Sequence, residues 1–333
     1  MEKSNKQTIL TGIKPTGIMH IGNYAGMLLP LVKLQNSAVS DGGKIFLMIA
    51  DLHALTTIED SKNISKNTLL TTSLAIAAGI DPKQTTIFAQ SHISEHSELA
   101  MLLGTNTPVP FLELNPVYKE TRVELPKLNT IGLLNYPVLQ AADILLYKTT
   151  HVPIGKDQLP HLEIAREIAR KFNKKFGETF IEPKEILQKE EKILSLENPA
   201  KKMSKSHGKD SYIGLLDSAA DIRKKIKRAV TDSGKEIKYD PIKKPAVSNL
   251  LAIFSLAADK PIKSIETRYK NKGYAEFKKE LAETVIKFLM PLQENYKKIG
   301  EKNALEILEA GAKKAKEISS KTLKEAKQKI GLL

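Results

Sequence analysis

A glycine-containing turn near the start of the chain has the composition of a phosphate-binding site. Gly12 ends a short apolar segment, Gly17 allows a tight turn, and a helix is predicted to begin at about His20. Free N–H groups and the dipole of a helix N-terminus attract phosphate, and a histidine there could donate to phosphate oxygens. Gly22 would let a flat ring lie against bare backbone. Such turns are common between strands and helices, so a purely structural interpretation is equally open.

A second segment, 201–208, combines three lysines and two serines on a loop. Such a loop suits a mobile clamp on a polyphosphate, because its ammonium groups would neutralise the charge that grows on a leaving pyrophosphate. Most lysine-rich hexamers are only exposed basic loops, but the string Met-Ser-Lys-Ser is much rarer than its composition.

Residues 92–96 spell His-x-x-Glu-His, a spacing that some zinc peptidases use. The string follows a predicted strand and opens a predicted helix at about Ser94, and no downstream carboxylate is clearly paired with it. Polar residues at a helix start are therefore the favoured interpretation, and no metal site is predicted. Three further histidines are assigned to the surface or to the surroundings of a site: His151, His161 and His207.

Strands and helices alternate in the first half of the chain and must position these segments. Apolar runs predict strands over 7–11, 44–50 and 85–90, and the middle run is typical of a strand buried on both faces. Periodicity predicts helices over 20–34, 69–79, 136–147 and 159–176, whereas 106–130, with four prolines, is predicted to be irregular. This alternation predicts an α/β fold with a doubly wound parallel sheet, which binds ligands beyond the carboxyl ends of its strands.

Positive charge is concentrated in the last third of the chain. Of the net charge of +14, residues 221–333 carry +12, from 27 Lys/Arg and 15 Asp/Glu, and residues 1–220 carry +2. The same third shows helical periods and little strand character. We therefore predict a catalytic domain over 1–220 and a basic all-helical domain over 221–333 that holds a polyanion such as a nucleic acid. A well-solvated lysine-rich surface is equally open on charge alone.

Composition excludes several classes of protein. The 333 residues are 41% hydrophobic and 27% charged, which suffices for a core, and the lack of cysteine excludes disulfide scaffolds and thiolate zinc sites. No apolar stretch reaches the roughly 18 residues that a membrane span needs. Because the polar segment 1–6 is followed by no signal-peptide core, we expect a soluble, cytoplasmic protein.

Together, the two phosphate-binding segments resemble the signatures of class I aminoacyl-tRNA synthetases. His20-Ile21-Gly22-Asn23 is similar to the His-Ile-Gly-His motif, and residues 202–206 spell Lys-Met-Ser-Lys-Ser. Further segments resemble the bacterial-type tryptophanyl-tRNA synthetases, in order and nearly end to end: Ile49-Ala50-Asp51-Leu52-His53-Ala54-Leu55-Thr56, then 136–147, 152–158, 229–233 and 244–251.

This resemblance implies a tryptophan–tRNA ligase with a Rossmann-like catalytic domain and a C-terminal helical domain. Such an enzyme forms tryptophanyl-adenylate from L-tryptophan and ATP, expels pyrophosphate with Mg²⁺, and transfers the tryptophan to the 3′ end of tRNA(Trp). The resemblance also implies a cytoplasmic homodimer. No covalent enzyme intermediate is needed, so catalysis would rest on positioning and charge stabilisation.

By the same resemblance, three groups of residues form the site. The catalytic group is His20, Asn23, Lys119, Lys202 and Lys205. The ATP group is Lys14, Pro15, Thr16, Gly22, Asn23, Gly155, Lys156, Asp157, Ile193, Lys202, Met203, Ser204, Lys205 and Ser206. The tryptophan group is Leu10, Gly12, His53, Tyr136, Gln140, Asp143, Val152, Ile154 and Gln158. Asp143 would accept the indole N–H, whereas Tyr136 and Gln158 would meet the amino group.

An aspartate at the indole nitrogen would explain specificity. An apolar pocket distinguishes side chains of similar size poorly. A buried hydrogen-bond acceptor that phenylalanine leaves unpaired lowers kcat/KM for phenylalanine by factors of roughly 10⁴ or more. On the residues alone, Asp143 within an apolar helix is open to three interpretations: a cap, a salt-bridge partner or a site residue.

Three positions depart from the commonest pattern of the family. Lys14 stands where glutamine is usual, Lys156 where glutamate is usual and Gln140 where methionine is usual. The two lysines would strengthen phosphate binding, and Gln140 would make the pocket wall more polar. The basic run 223–228 is open to two interpretations, a solvated helix edge or contacts with tRNA phosphates.

Three alternatives to a tryptophan-specific ligase remain open. Tyrosine specificity shares the fold, but Ala141-Ala142-Asp143 and the string at 155–158 favour tryptophan. A nucleotidyltransferase that forms a small-molecule adenylate shares the His-x-Gly pattern, but it has no need of the 203–206 loop and a basic helical third. A paralogue that binds without charging is disfavoured by the intact signature residues, which are His20, Gly22, Asp143, Lys202 and Lys205.

Overall fold

The computed structural model describes residues 6–40, 42–56, 61–124, 129–188 and 193–332, which pack as two units. The first unit consists of Met1–Gly17, Leu31–Lys189 and Glu301–Leu333, and the second of Ile18–Pro30 and Glu190–Gly300. Each unit is thus built from separate stretches of the chain. The division by function at residue 220 stays a prediction.

A five-stranded parallel sheet forms the centre of the first unit. Its strands are β1 (Thr8–Ile13), β2 (Lys44–Ile49), β3 (Thr85–Ala89), β4 (His151–Ile154) and β5 (Lys184–Leu187). Their spatial order is β3-β2-β1-β4-β5, and the described pairings are all parallel. The order reverses at β1, so the predicted doubly wound sheet is confirmed.

The helices of both units follow in chain order. They are α1 (Ile21–Asn23), α2 (Leu29–Ser40), α3 (Asp51–Leu55), α4 (Ile64–Ala77), α5 (Glu95–Gly104), α6 (Val109–Glu113), α7 (Pro116–Glu124), α8 (Ile131–Leu146), α9 (Leu159–Phe176), α10 (Ala219–Arg228), α11 (Pro245–Ala258), α12 (Ile262–Arg268) and α13 (Tyr274–Ile330). A π-helical turn, Tyr24–Leu28, joins α1 to α2.

Two helices contradict the predicted irregular stretch at 106–130. Pro110 lies in the first turn of α6 and Pro116 begins α7, positions where a missing N–H breaks no helical hydrogen bond. α8 also begins five residues before the predicted start at 136, because the Thr130 side chain accepts a hydrogen bond from Leu133 N and caps it. Two of these prolines therefore lie at helix starts, and the prediction of an irregular stretch over 106–130 was wrong.

Apolar residues of α5, α8, α9 and the last part of α13 form the main core of the first unit. Leu99, Leu145, Phe172 and Leu323 represent these four helices in one cluster with Phe46 of the sheet. α13 is interrupted at Gly300, whose positive φ of 67° is not helical. The segment after Gly300 therefore returns to the first unit as a separate helix.

The second unit is built mainly from α10 to α12 and the first part of α13. Phe254, Tyr269 and Phe277 form an aromatic cluster with ring centroids 5.2–5.9 Å apart. Residues 221–332 contain helices and no described strand, which confirms the predicted all-helical C-terminal region. In the described part of the chain, no helix has the length and apolar character that crossing a membrane requires.

Candidate active site

Two predicted ATP-binding segments directly follow β1 and β4, at the carboxyl ends of these two neighbouring strands. Residues 14–16 follow β1 and residues 155–157 follow β4. Strand order reverses between these two strands, and doubly wound sheets bind ligands at such a switch point. Pro15 is buried and Gly155 half-buried, and four side chains of these segments are exposed: Lys14, Thr16, Lys156 and Asp157.

Four residues of the tryptophan group share one face of the sheet. The described β1–β4 pair is Ile9 with His151, and extending this register along both strands would place Leu10 beside Val152 and Gly12 beside Ile154. Residues two apart on a strand point to the same side, so all four belong to one face. Leu10 and Val152 are buried in the core cluster that α8 covers, and Ile154 packs at its border.

Helix α8 carries three more residues of the tryptophan group. Tyr136, Gln140 and Asp143 are spaced by four and three residues, which places them on one face of the helix. Asp143 is 1% exposed, Tyr136 is buried and Gln140 is half-buried. The N-cap of α8 is Thr130, so the interpretation of Asp143 as a helix cap is excluded.

Three side chains donate hydrogen bonds to the Asp143 carboxylate. His53 Nε2 lies 2.7 Å from Oδ2, and His96 Nδ1 lies 2.6 Å from Oδ1. Gln90 Nε2 lies 2.8 Å and 3.0 Å from the two oxygens. The carboxylate is thus a fixed, buried acceptor, which suits recognition of a single N–H on an otherwise apolar ring.

The ionisation of Asp143 follows from these contacts. Burial raises the pKa of the carboxyl, but the charges and hydrogen bonds of His53 and His96 outweigh it and lower the pKa to about 2. Asp143 therefore stays ionised and accepts hydrogen bonds over the whole physiological pH range.

His96 and Gln90 contact Asp143, and the sequence patterns do not reveal either contact. The string at 92–96 contained the signal for His96, but its interpretation as a helix start gave that residue no partner. Gln90 was predicted to end a strand, whereas β3 ends at Ala89 and Gln90 begins a short 3₁₀ turn. His96 reaches Asp143 because α5 packs on α8, and Gln90 reaches it from the turn that follows β3.

A second chain of hydrogen bonds joins the two residues predicted to meet the amino group. Tyr136 Oη lies 2.9 Å from His161 Nε2, and His161 Nδ1 lies 2.9 Å from Gln158 Oε1. Asn115 Nδ2 donates to Tyr136 Oη at 3.1 Å. Burial raises the pKa of Tyr136 to about 12 and lowers that of His161, so both are neutral. His161 thus orients Tyr136 and Gln158, which agrees with its assignment to the surroundings of a site.

Neither Lys119 nor the described cavity adds a further residue of the tryptophan group to these networks. Lys119 is exposed on α7, and no shared contact with the tryptophan group is described for it. A cavity of about 230 Å³ opens between α3 and α8 and includes Tyr136, but it includes no other residue predicted to bind tryptophan. The assignment of Lys119 to the catalytic group remains a prediction.

In the second unit, α1 begins directly after His20, close to the predicted helix start, and His20 is its N-cap. His20 Nδ1 accepts from Asn23 N at 3.3 Å, and Asn23 Oδ1 accepts from His20 N at 3.0 Å. A Cβ at Gly22 would lie 3.0 Å from His20 Nδ1, closer than ordinary contacts allow. The motif therefore needs glycine at this position to keep the histidine ring where it caps the helix.

The Lys202–Ser206 segment is anchored at its buried residues. Met203 is 3% exposed and its N–H donates to Ile193 O, and Lys202 forms a bridge with Leu194. Asn249 of α11 bonds the backbone of Leu194 in both directions, at 2.7 Å and 2.9 Å. The hydroxyls of Ser204 and Ser206 lie 2.8 Å apart. The Lys202 side chain is exposed and that of Lys205 half-buried.

Both lysines act electrostatically on His20. Burial of the imidazole, followed by the charges of Lys205 and Lys202, lowers the pKa of His20 to about 4. The neutral ring agrees with its role as acceptor for Asn23 N. The two signature motifs therefore influence one another within the second unit.

We expect this suppressed protonation to shape the stability of the protein. Between pH 6.5 and 4 the unfolded chain binds a proton at His20 that the folded chain rejects, so the free energy of unfolding falls as the pH falls. His20→Asn keeps an acceptor at the capping position and removes the titration. Urea unfolding at several pH values should show a shallower fall for this variant, by up to about 3 kcal/mol at pH 4. Identical pH profiles would contradict the assignment.

Three residues of the basic run 223–228 form ion pairs. Lys225 is 7% exposed, and its Nζ lies 2.6 Å from Asp217 Oδ2. Arg223 pairs with Glu283 and Arg228 with Asp210. The hypothesis of contacts with tRNA phosphates is thus wrong for Lys225, which is buried. It stays a prediction for Lys224 and Lys227, the exposed lysines of this run.

In the described residues, no three or more His, Cys, Asp or Glu side chains converge as a metal site. The Asp143 carboxylate and its three donors form a buried, hydrogen-bonded polar cluster.

Comparisons with known proteins place the chain among one family of enzymes. The family model of class I tRNA synthetases for tryptophan and tyrosine matches residues 2–290. A tryptophan–tRNA ligase of Caldanaerobacter subterraneus subsp. tengcongensis is 44% identical over 327 residues, which cover 98% of each chain.

Solved structures show the same fold. Tryptophanyl-tRNA synthetase of Campylobacter jejuni, in complex with ADP and tryptophan, matches with a TM-score of 0.85 and 34% identity, over 98% of this chain and all of that one. The enzyme of Mycoplasma pneumoniae matches with a TM-score of 0.84 and 31% identity, over 98% of each chain.

Proposed function

The chain belongs to the class I tRNA synthetases for tryptophan and tyrosine, and from this membership we infer that it ligates L-tryptophan to tRNA(Trp) with ATP as the second substrate. The identity of 44% over 98% of a tryptophan–tRNA ligase carries the choice of tryptophan. The alternatives of a small-molecule nucleotidyltransferase and of tyrosine specificity are thereby disfavoured.

We propose that the first unit selects the amino acid. The indole would lie on the sheet face of Leu10 and Val152 and donate its N–H to Asp143. The ammonium group would meet Tyr136 and Gln158, which His161 orients. Gln140 lies one turn before Asp143 and would line the same pocket.

We propose that the second unit stabilises the phosphate charge. The tryptophan carboxylate attacks the α-phosphorus of ATP, and the P–O bond to pyrophosphate breaks. Lys202 and Lys205 would neutralise the leaving pyrophosphate, and the helix N-terminus capped by His20 would bind phosphate oxygens. Mg²⁺ would arrive on the phosphates of ATP as part of the substrate. The adenosine at the 3′ end of the tRNA then displaces AMP from the adenylate.

Aminoacylation of tRNA(Trp) with labelled tryptophan tests this function. The protein should charge the tRNA in the presence of ATP, and Lys205→Ala should lower kcat by about 10²-fold or more, because it removes a charge aimed at the leaving group. Lys201→Ala is the matched control, since that exposed lysine lies outside the signature. Equal effects of both substitutions would contradict the role of Lys205, and absence of charging would contradict the function.

We also propose a cytoplasmic homodimer that binds tRNA through its basic helices. Large apolar side chains are exposed on α6 to α8, which supports an interface with a second copy: Val109, Leu114, Val123 and Ile131. The net charge of +12 on residues 221–333 supports contact with tRNA phosphates. Sedimentation equilibrium that finds only monomers at micromolar concentration would contradict the dimer.

A further inference from the structure

His96 joins the Asp143 carboxylate to a second buried hydroxyl. Its Nδ1 lies 2.6 Å from Asp143 Oδ1, and its Nε2 lies 2.8 Å from Tyr147 Oη. His96 is 0% exposed and Tyr147 2% exposed. Tyr147 follows Asp143 by one helical turn and stacks on Phe46 at 4.9 Å between ring centroids. The imidazole is thus held at both nitrogens by a rigid part of the core.

These contacts determine which nitrogen of His96 carries the proton. A carboxylate can only accept, so Nδ1 must bear the hydrogen that bonds Asp143. Nε2 faces the Tyr147 hydroxyl, which can donate to a ring nitrogen or accept from one. Burial, followed by the charges of Asp143 and Glu95, raises the pKa of Tyr147, so the phenol keeps the proton that it donates. Tyr147 therefore holds the far side of the imidazole ring whose Nδ1 faces Asp143.

We propose that His96 is a positioning residue for amino-acid selection: its Nδ1–H holds Asp143 Oδ1 so that the carboxylate keeps a fixed acceptor direction for the indole N–H. The proposal rests on the proposed function and adds a residue of α5 to the machinery of specificity. Gln90 and His53 bind the same carboxylate from two other elements, so His96 acts as one of three supports. Its own distance of 2.6 Å is the shortest of the three.

Two substitutions separate the two ends of the imidazole. In His96→Asn the amide nitrogen can take the place of Nδ1 and keep the donor to Asp143. In His96→Gln the longer side chain reaches the place of Nε2 at Tyr147, and the donor to Asp143 is lost. The pair therefore distinguishes support of the carboxylate from mere filling of the core.

The matched substrates are tryptophan and 3-benzothienylalanine, in which sulfur replaces the indole N–H. The ratio of their kcat/KM values in ATP–pyrophosphate exchange measures recognition of that N–H. We expect a ratio of about 10² for the unaltered protein, because the bond has a charged acceptor. His96→Gln should lower the ratio by about tenfold or more, whereas His96→Asn should keep it within about threefold.

Each outcome is informative. Equal losses for both amino acids in His96→Gln, with the ratio unchanged, would show a purely structural role and overturn the proposal. Failure of the unaltered protein to activate tryptophan would instead overturn the proposed function. If His96→Gln does not fold, ¹⁵N NMR of the imidazole in the unaltered protein decides: a hydrogen on Nδ1 supports the proposal, and a neutral ring with its hydrogen on Nε2 contradicts it.

Discussion

Replacing Asp143 by asparagine is expected to lower kcat/KM for tryptophan in ATP–pyrophosphate exchange by about 10³-fold or more. The substitution removes a buried charge that three donors face and places an NH₂ group among them. The side chains that donated to Asp143 lose hydrogen bonds where they face the new NH₂ group, and the indole N–H loses its acceptor. The discrimination against phenylalanine should fall at the same time, because phenylalanine never used this acceptor.

The control for Asp143→Asn is Asp259→Asn. Asp259 is exposed in the left-handed region, with φ of 49°, a conformation that asparagine adopts readily. The control should change neither activity nor the circular dichroism spectrum. Retention of tryptophan activation within tenfold in a folded Asp143→Asn protein would contradict the proposed acceptor role.

Replacing Gly311 by alanine is expected to destabilise the protein by about 3 kcal/mol or more. Gly311 lies in the last part of α13, where the helix backbone contacts the backbone of Ile87 in β3. A Cβ there would overlap the carbonyl oxygen of Ile87 and lie 2.7 Å from its carbonyl carbon. Backbone atoms cannot rotate away as a flexible side chain can, so the helix must move off the sheet and lose packing of Ala315 and Leu323.

Gly273→Ala is the matched control for the effect on Gly311. A Cβ at Gly273 would meet nothing within 4 Å, and this residue precedes the first turn of the part of α13 that lies before Gly300. Urea unfolding followed by circular dichroism should therefore show little change for Gly273→Ala and a much lower midpoint for Gly311→Ala. Equal midpoints for the two variants would show that α13 does not approach β3 so closely.

Local patterns predicted those elements whose stability is local. The continuous apolar run of β2 and the amphipathic stripe of α9 each repeat over several residues, so they indicated strand and helix with nearly correct bounds. α6 and α7 were missed because their prolines read as breaks, although a proline in the first turn of a helix is harmless.

Contacts between distant residues could not be predicted in the same way. Asp143 and His96 are 47 positions apart and meet only because α5 packs on α8. Lys225 is of a residue type that binds phosphate, yet it is buried in an ion pair with Asp217. The close approach of Gly311 to Ile87 spans 224 positions. In each case the sequence contains the residue type, but the role of the residue depends on tertiary packing.

ATP–pyrophosphate exchange with each of the twenty amino acids tests the central claim most directly. The chain contains no tryptophan, so added tryptophan is the only indole in a companion fluorescence assay of binding. We expect exchange with tryptophan at a kcat/KM at least about 10³-fold above that with tyrosine or phenylalanine. Exchange with tyrosine instead would keep the fold and contradict the pocket built on Asp143, and no exchange with any amino acid would contradict a ligase.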